Sequence, residues 1–73
     1  MRVFAMTNLG NHYASQISSD PSDGLKILYF MRRHQWKSTD EQLVNVVQDK
    51  YKLQTAINNL IREKAIVEVG RSS

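Results

Sequence analysis

Apolar residues recur through Lys52–Lys64 at Leu53, Ala56, Ile57, Leu60 and Ile61. At about 100° per residue this spacing predicts an α-helix with one buried side. Gln54, Thr55, Asn58, Asn59 and Arg62 fall on the other side. Upstream, the β-suited run Arg2–Thr7 predicts a strand whose buried face comes from Val3, Phe4 and Met6. Thr7 or Asn8 then caps a helix running to about Ser18, with Leu9, Tyr13 and Ile17 repeating every four residues and Ala14 beside them, a stripe expected to pack on the domain core or else to form a dimer seam. Ser18–Gly24 reads as a loop leading into a second helix, with Asp20 as N-cap and Pro21 in the first helical position. Leu25–Met31 is apolar almost all round, which predicts the central, most buried helix. Arg32, Arg33 and His34 suit the negative end of that helix's dipole. Trp36 is expected to cap the core from the connection that follows.

Ser38-x-x-Glu41 has the form of a capping box and predicts a short helix from Thr39 to about Gln48. Leu43, Val44, Val46 and Val47 supply its inner face. A tight turn is expected over Asp49–Tyr51, with Lys52 entering the long amphipathic helix. Ile66–Val69 reads as a strand, with Ile66 or Val67 buried on alternation.

The 73 residues are read as one domain, with a core over residues 21–69 and a strand-and-helix extension over 2–18. That is near the lower limit for a hydrophobic core without staples. Cysteine is absent, which removes disulfides, thiolate metal sites and thiol nucleophiles. A composition 41% hydrophobic and 23% charged belongs to a globular chain. Neither a membrane-span pattern nor a signal-peptide pattern is visible, so the expected location is the cytoplasm. Charges cancel through residue 49, and the whole net +3 lies in residues 50–73. The basic excess therefore coincides with the amphipathic helix, as an electrostatic footprint for nucleic acid would.

The polar face of that helix is unusual. A solvated face favours Glu, Lys, Gln and Ala, whereas this one carries two adjacent Asn and a Thr, mediocre helix formers, with no acid at its centre. Asn, Gln, Thr and Arg are side chains that bond base edges and phosphates. The face therefore reads as a recognition surface for double-stranded DNA; the competing explanation is a solvated face of uncommon composition. Enzymatic chemistry finds little support. His12 and His34 lie in different helices without carboxylates at metal-ligand spacing, Asp40-Glu41 reads as helix N-terminal charge, and the three glycines are isolated. No catalytic residue, metal or cofactor is assigned. A module that docks on another protein is the alternative, and Tyr51 is the one large anchor on this face that would suit it.

Leu25–Val69, LKILYFMRRHQWKSTDEQLVNVVQDKYKLQTAINNLIREKAIVEV, resembles the winged helix-turn-helix superfamily in its small MarR-like, archaeal or phage-regulator form. Ala5–Ala14, AMTNLGNHYA, also resembles the LTxLGxxYA segment that often follows the last wing strand in such families. The resemblance implies a mainly α fold with a small β-sheet (α+β) and a role in transcription regulation or another DNA transaction. It places helix 52–64 in the major groove. By position, Gln54, Thr55, Asn58 and Asn59 would face bases. Lys50, Lys52 and Arg62 would touch phosphates, Arg71 would be the wing-tip contact, and Thr39 with its helix N-terminus would hold a phosphate. A homodimer through Leu9, Tyr13 and Ile17 is expected, because one such domain offers little surface for tight specific binding.

Two departures from the family pattern matter. Ala65 stands where a glycine usually precedes the wing strand, so the turn must be built another way. No second wing strand follows Ile66–Val69. The expectation is that the N-terminal strand Val3–Met6 pairs with the C-terminal strand Ile66–Val69 and closes the sheet in permuted order. A strand exchanged with a second copy, or a fragment of a longer protein, are the alternatives.

Overall fold

A computed structural model describes residues 2–16 and 19–71. The elements run β1 (Arg2–Met6), α1 (Asn8–Ala14), α2 (Asp23–Arg33), β2 (Lys37–Thr39), α3 (Asp40–Leu43), α4 (Lys50–Arg62) and β3 (Ile66–Arg71). Three antiparallel strands form one sheet in the order β2-β1-β3, and the helices complete a small α+β fold.

The first strand of the chain is thus the middle strand of the sheet. Phe4 pairs with Ser38 on one side and Glu68 on the other, and Met6 pairs with Ile66. The expected pairing of the N-terminal and C-terminal strands is present, with one irregularity between Val3 and Phe4 where the register skips Val69. Alternation then decides what is inside. Phe4, Met6, Ser38 and Ile66 are buried, while Val67 and Val69 are exposed. Where the buried row nears the sheet's end, the Arg2 guanidinium lies 4.9 Å from the centre of the Phe4 ring, and its Nε is 3.1 Å from a Glu68 carboxylate oxygen.

The core joins Phe4, Met6 and Ile66 of the sheet to Ile27, Leu28 and Met31 of α2, to Leu43 and Val47, and to Leu53, Ala56, Ile57 and Leu60 of α4. Each large side chain buried there contributes about 1.5–3 kcal/mol. Helix α2 is the central helix that its composition predicts, although Leu25, Tyr29 and Phe30 are only half-buried. Trp36 packs its ring half-buried against this core.

Several local expectations need correction. Helix α1 ends at Ala14, not near Ser18, and its buried residues are Gly10 and Ala14. Of the four-residue stripe, Leu9 is exposed while Tyr13 packs half-buried against the core; Ile17 and Ser18 lie outside the described residues. The small residues win because α1 crosses the sheet too closely for a large side chain: a Cβ on Gly10 would overlap the Ala65 carbonyl oxygen. Ser22, not Asp20, caps α2, its hydroxyl accepting from the Leu25 N–H at 3.3 Å.

The strand β2 was not foreseen. It takes Ser38 into the sheet, and the capping box moves one residue on, to Thr39 and Gln42. Both of its bonds form, Gln42 N–H to the Thr39 hydroxyl at 3.2 Å and Thr39 N–H to the Gln42 side-chain oxygen at 3.0 Å. Helix α3 stops at Leu43, and turns carry the chain so that Leu43 and Val47 both reach the core. Asp49–Tyr51 is no free-standing turn. Asp49 is the N-cap of α4, accepting from the N–H groups of Tyr51 and Lys52 at 2.9 and 3.1 Å.

The turn before β3 shows what replaces the missing glycine. Lys64 has φ 62°, its N–H reaches the Ile61 carbonyl, and the Ala65 N–H reaches that of Leu60. These two bonds make a Schellman motif with Lys64 in the left-handed position that glycine usually takes. Ala65 behind it is fully buried.

Candidate functional site

Helix α4 presents the predicted two-sided pattern. Leu53, Ala56, Ile57 and Leu60 are buried and Ile61 half-buried, while Lys50, Lys52, Gln54, Thr55, Asn58, Asn59 and Arg62 are exposed. At about 100° per residue the line opposite the buried side runs through Tyr51, Thr55, Asn58 and Arg62. Gln54 and Lys50 flank this ridge on one side, and Lys52, Asn59 and Glu63 on the other. The structure therefore gathers seven of the nine expected site residues on one helix.

Tyr51 is the residue that the periodicity did not include. It is 82% exposed and stands on the ridge in the first turn of α4. The helix begins at Lys50, so Tyr51, expected in a turn before it, stands in its first turn.

Two amides on this face are coupled. The Gln54 side-chain NH₂ donates to the Asn58 side-chain oxygen at 3.2 Å, one helical turn away. The bond leaves a carbonyl oxygen on Gln54 and an NH₂ on Asn58, an acceptor and a donor held at a fixed spacing. Charge on the face is mainly positive, from Lys50, Lys52 and Arg62, with Glu63 at one margin.

Thr39 and Arg71 lie elsewhere. The Thr39 hydroxyl is engaged in the capping box, and Asp40 Oδ1 accepts from the Glu41 N–H at 2.9 Å and from the Arg2 N–H at 3.3 Å. The N-terminus of α3 thus has its Glu41 and Gln42 N–H groups bonded internally and carries two carboxylates, Asp40 and Glu41. That combination disfavours an anion. Arg71 ends β3 opposite Arg2, so two arginine positions meet where the first and last strands of the sheet end.

Beside α4 a groove of about 580 Å³ opens, walled by α4, the start of α2 and the end of α1. Leu25, Leu28, Ala56 and Leu60 provide its apolar lining, and Tyr13, Tyr51, Lys52, Thr55, Asn59, Asp23 and Glu63 its polar rim. Gly24 allows α2 to approach α4 here, since a Cβ on it would stand 3.3 Å from Leu60 Cδ2. His34 stacks on Phe30 with ring centroids 4.1 Å apart. Among the described residues no group of three or more His, Cys, Asp or Glu side chains is placed to hold a metal ion. No helix among them is long and apolar enough to cross a membrane.

Comparison with known protein families, with curated proteins and with solved structures finds no match for this chain.

Proposed function

We propose that the chain is a DNA-binding module of winged helix-turn-helix type, with α4 as its recognition helix. The observation that carries this reading is the exposed ridge of α4, where Tyr51, Thr55, Asn58 and Arg62 stand in line between Gln54 and Lys52. Every side chain in that line either hydrogen-bonds a base edge, stacks, or pairs with a phosphate. The order α2, β2, α3, α4, β3 supports it, since the short helix precedes the long one as in a helix-turn-helix. Strand β1 then takes the place that a returning wing strand would have.

In this reading Asn58, Gln54, Thr55 and Asn59 face the bases of the major groove. Lys50, Lys52 and Arg62 neutralise phosphates along its walls, and each such contact releases counterions. Arg71, paired with Arg2 at the end of the sheet, takes the wing-tip role. Thr39 is left out, because its N–H donates to the Gln42 side chain, its hydroxyl accepts from the Gln42 N–H, and the carboxylates of Asp40 and Glu41 follow it. Two copies on a two-fold site would supply the area that a single small domain lacks. Leu9, exposed on α1, is the described residue of the expected dimer stripe that is best placed for such a contact.

The test is an amide NMR titration with a mixed-sequence duplex at two salt concentrations. Shifts concentrated on Lys50–Arg62 that shrink as salt rises are expected. If no amide moves at low salt, the DNA reading fails. A protein-docking role would then take its place, with Tyr51 as the anchor, and its 82% exposure is the observation that favours it.

A further inference from the structure

Asn58 stands in the middle of the exposed ridge of α4, and Gln54, one turn back, holds its side chain. The Gln54 Nε2 group donates to Asn58 Oδ1 at 3.2 Å, and both residues are exposed. An exposed asparagine amide without a partner turns freely and offers its oxygen or its NH₂ to either side. Here the oxygen is kept toward Gln54. Turning the Asn58 amide alone would set its NH₂ against the Gln54 NH₂, donor against donor. The bond uses one of the two lone pairs on Oδ1 and neither N–H of Nδ2. Asn58 therefore still offers one acceptor and one donor side by side, in a fixed order.

The edges of the bases in a major groove differ in that order. Adenine shows the N7 acceptor beside the N6 amino donor. Guanine shows two acceptors, cytosine an amino donor, and thymine one acceptor and a methyl group. An amide with its oxygen and its NH₂ both held in place meets adenine alone with two bonds. Amide pairs four residues apart also brace helices. Bracing by itself gives no reason for asparagine, a mediocre helix former, at this exposed position.

We propose that Asn58 reads a single adenine in the major groove, with Gln54 as its positioning residue; this rests on the DNA reading of α4 and names the base that it selects. Asn58 Nδ2–H donates to adenine N7, and adenine N6–H donates to the remaining lone pair of Asn58 Oδ1. Gln54 Nε2 keeps the other lone pair, so the Asn58 amide is set before the base arrives and loses less freedom on binding.

The experiment selects bound sequences from a randomised duplex pool with the wild type, Asn58→Ala and Gln54→Ala. The wild type should enrich adenine at one position by about tenfold, the scale of a bidentate contact. Asn58→Ala should lose that enrichment, and Gln54→Ala should reduce it severalfold. Placing 7-deazaadenine, which lacks the N7 acceptor, at that position should weaken the wild type about fivefold, the scale of one hydrogen bond. The same substitution should leave Asn58→Ala unaffected and cost Gln54→Ala less than the wild type. An adenine preference that survives Asn58→Ala, or an undiminished one in Gln54→Ala, would overturn the proposal while leaving the DNA reading in place. A lowered urea midpoint in Gln54→Ala with the adenine preference intact would show that the pair only braces the helix. If the wild type retains no duplex from the pool, the DNA reading itself fails, and the assignment of adenine falls with it.

Discussion

Gly10 lies directly against the carbonyl group of Ala65, with no room for a Cβ between α1 and the start of β3. The same contact is tied by Thr7. Its N–H donates to the Ala65 carbonyl at 3.0 Å, its hydroxyl lies 2.6 Å from the Lys64 carbonyl oxygen, and that hydroxyl accepts from the Gly10 N–H at 3.1 Å. Residues at the front of the chain thereby hold the turn that ends α4.

Gly10→Ala should therefore destabilise the protein by about 3 kcal/mol, the upper range for an overpacked site. The added methyl meets backbone on one side and Met6 on the other. Gly70→Ala, where nothing stands within 4 Å, is the control and should change stability little. Urea unfolding of the two variants decides it, and equal midpoints would refute the close approach.

Lys64→Gly should act in the opposite direction. A left-handed backbone costs an ordinary residue about 1–2 kcal/mol, and Lys64 bears that cost at φ 62°. Glycine at the same site should raise stability by about 0.5–1 kcal/mol, less than the full strain because the unfolded chain gains freedom. Thermal unfolding of the variant is the measurement. A lower midpoint would mean that the Lys64 side chain holds a contact outweighing the strain.

Asp49→Ala removes the acceptor for two N–H groups at the start of α4. A loss of about 1 kcal/mol is expected, with Asp49→Asn close to wild type because Asn caps nearly as well. Chemical denaturation gives the first number. Amide hydrogen exchange should show the loss concentrated at Tyr51 and Lys52.

If α4 binds DNA as proposed, its ridge should divide into two kinds of position. Asn58→Ala should flatten sequence preference, costing about 1–3 kcal/mol on the preferred site and little on others. Lys52→Ala should weaken every duplex alike and lower the salt slope by about 1. Tyr51→Ala should reduce affinity while leaving the urea midpoint in place, since the ring is exposed. Competition binding against a randomised duplex pool separates these outcomes. A uniform loss for Asn58→Ala would show that it reads no base.

The amphipathic helix and the core it contributes were legible from the sequence, though the reading Lys52–Lys64 lies two residues further along the chain at each end than the observed Lys50–Arg62. So were the central helix, both end strands and their pairing. Periodicity reports burial directly when an element is long, because several turns repeat the same face. The short elements were not legible in this way. Three residues of β2 carry no pattern of their own, and they become a strand because β1 offers a free edge beside them. That pairing drew Ser38 into the sheet and displaced the capping box by one residue.

Close packing lay equally beyond the pattern. Leu9 made part of the better stripe by hydrophobicity, yet it is exposed and the neighbouring Gly10 is buried, since the space between α1 and the Ala65 carbonyl admits no side chain there. The groove beside α4 depends on which helices meet and at what level. The sequence by itself determined the class of each long element and the chemistry on its faces, because those follow from local spacing. Only the tertiary structure decided the order of the sheet, the caps and the groove, because each is a contact between residues far apart in the chain.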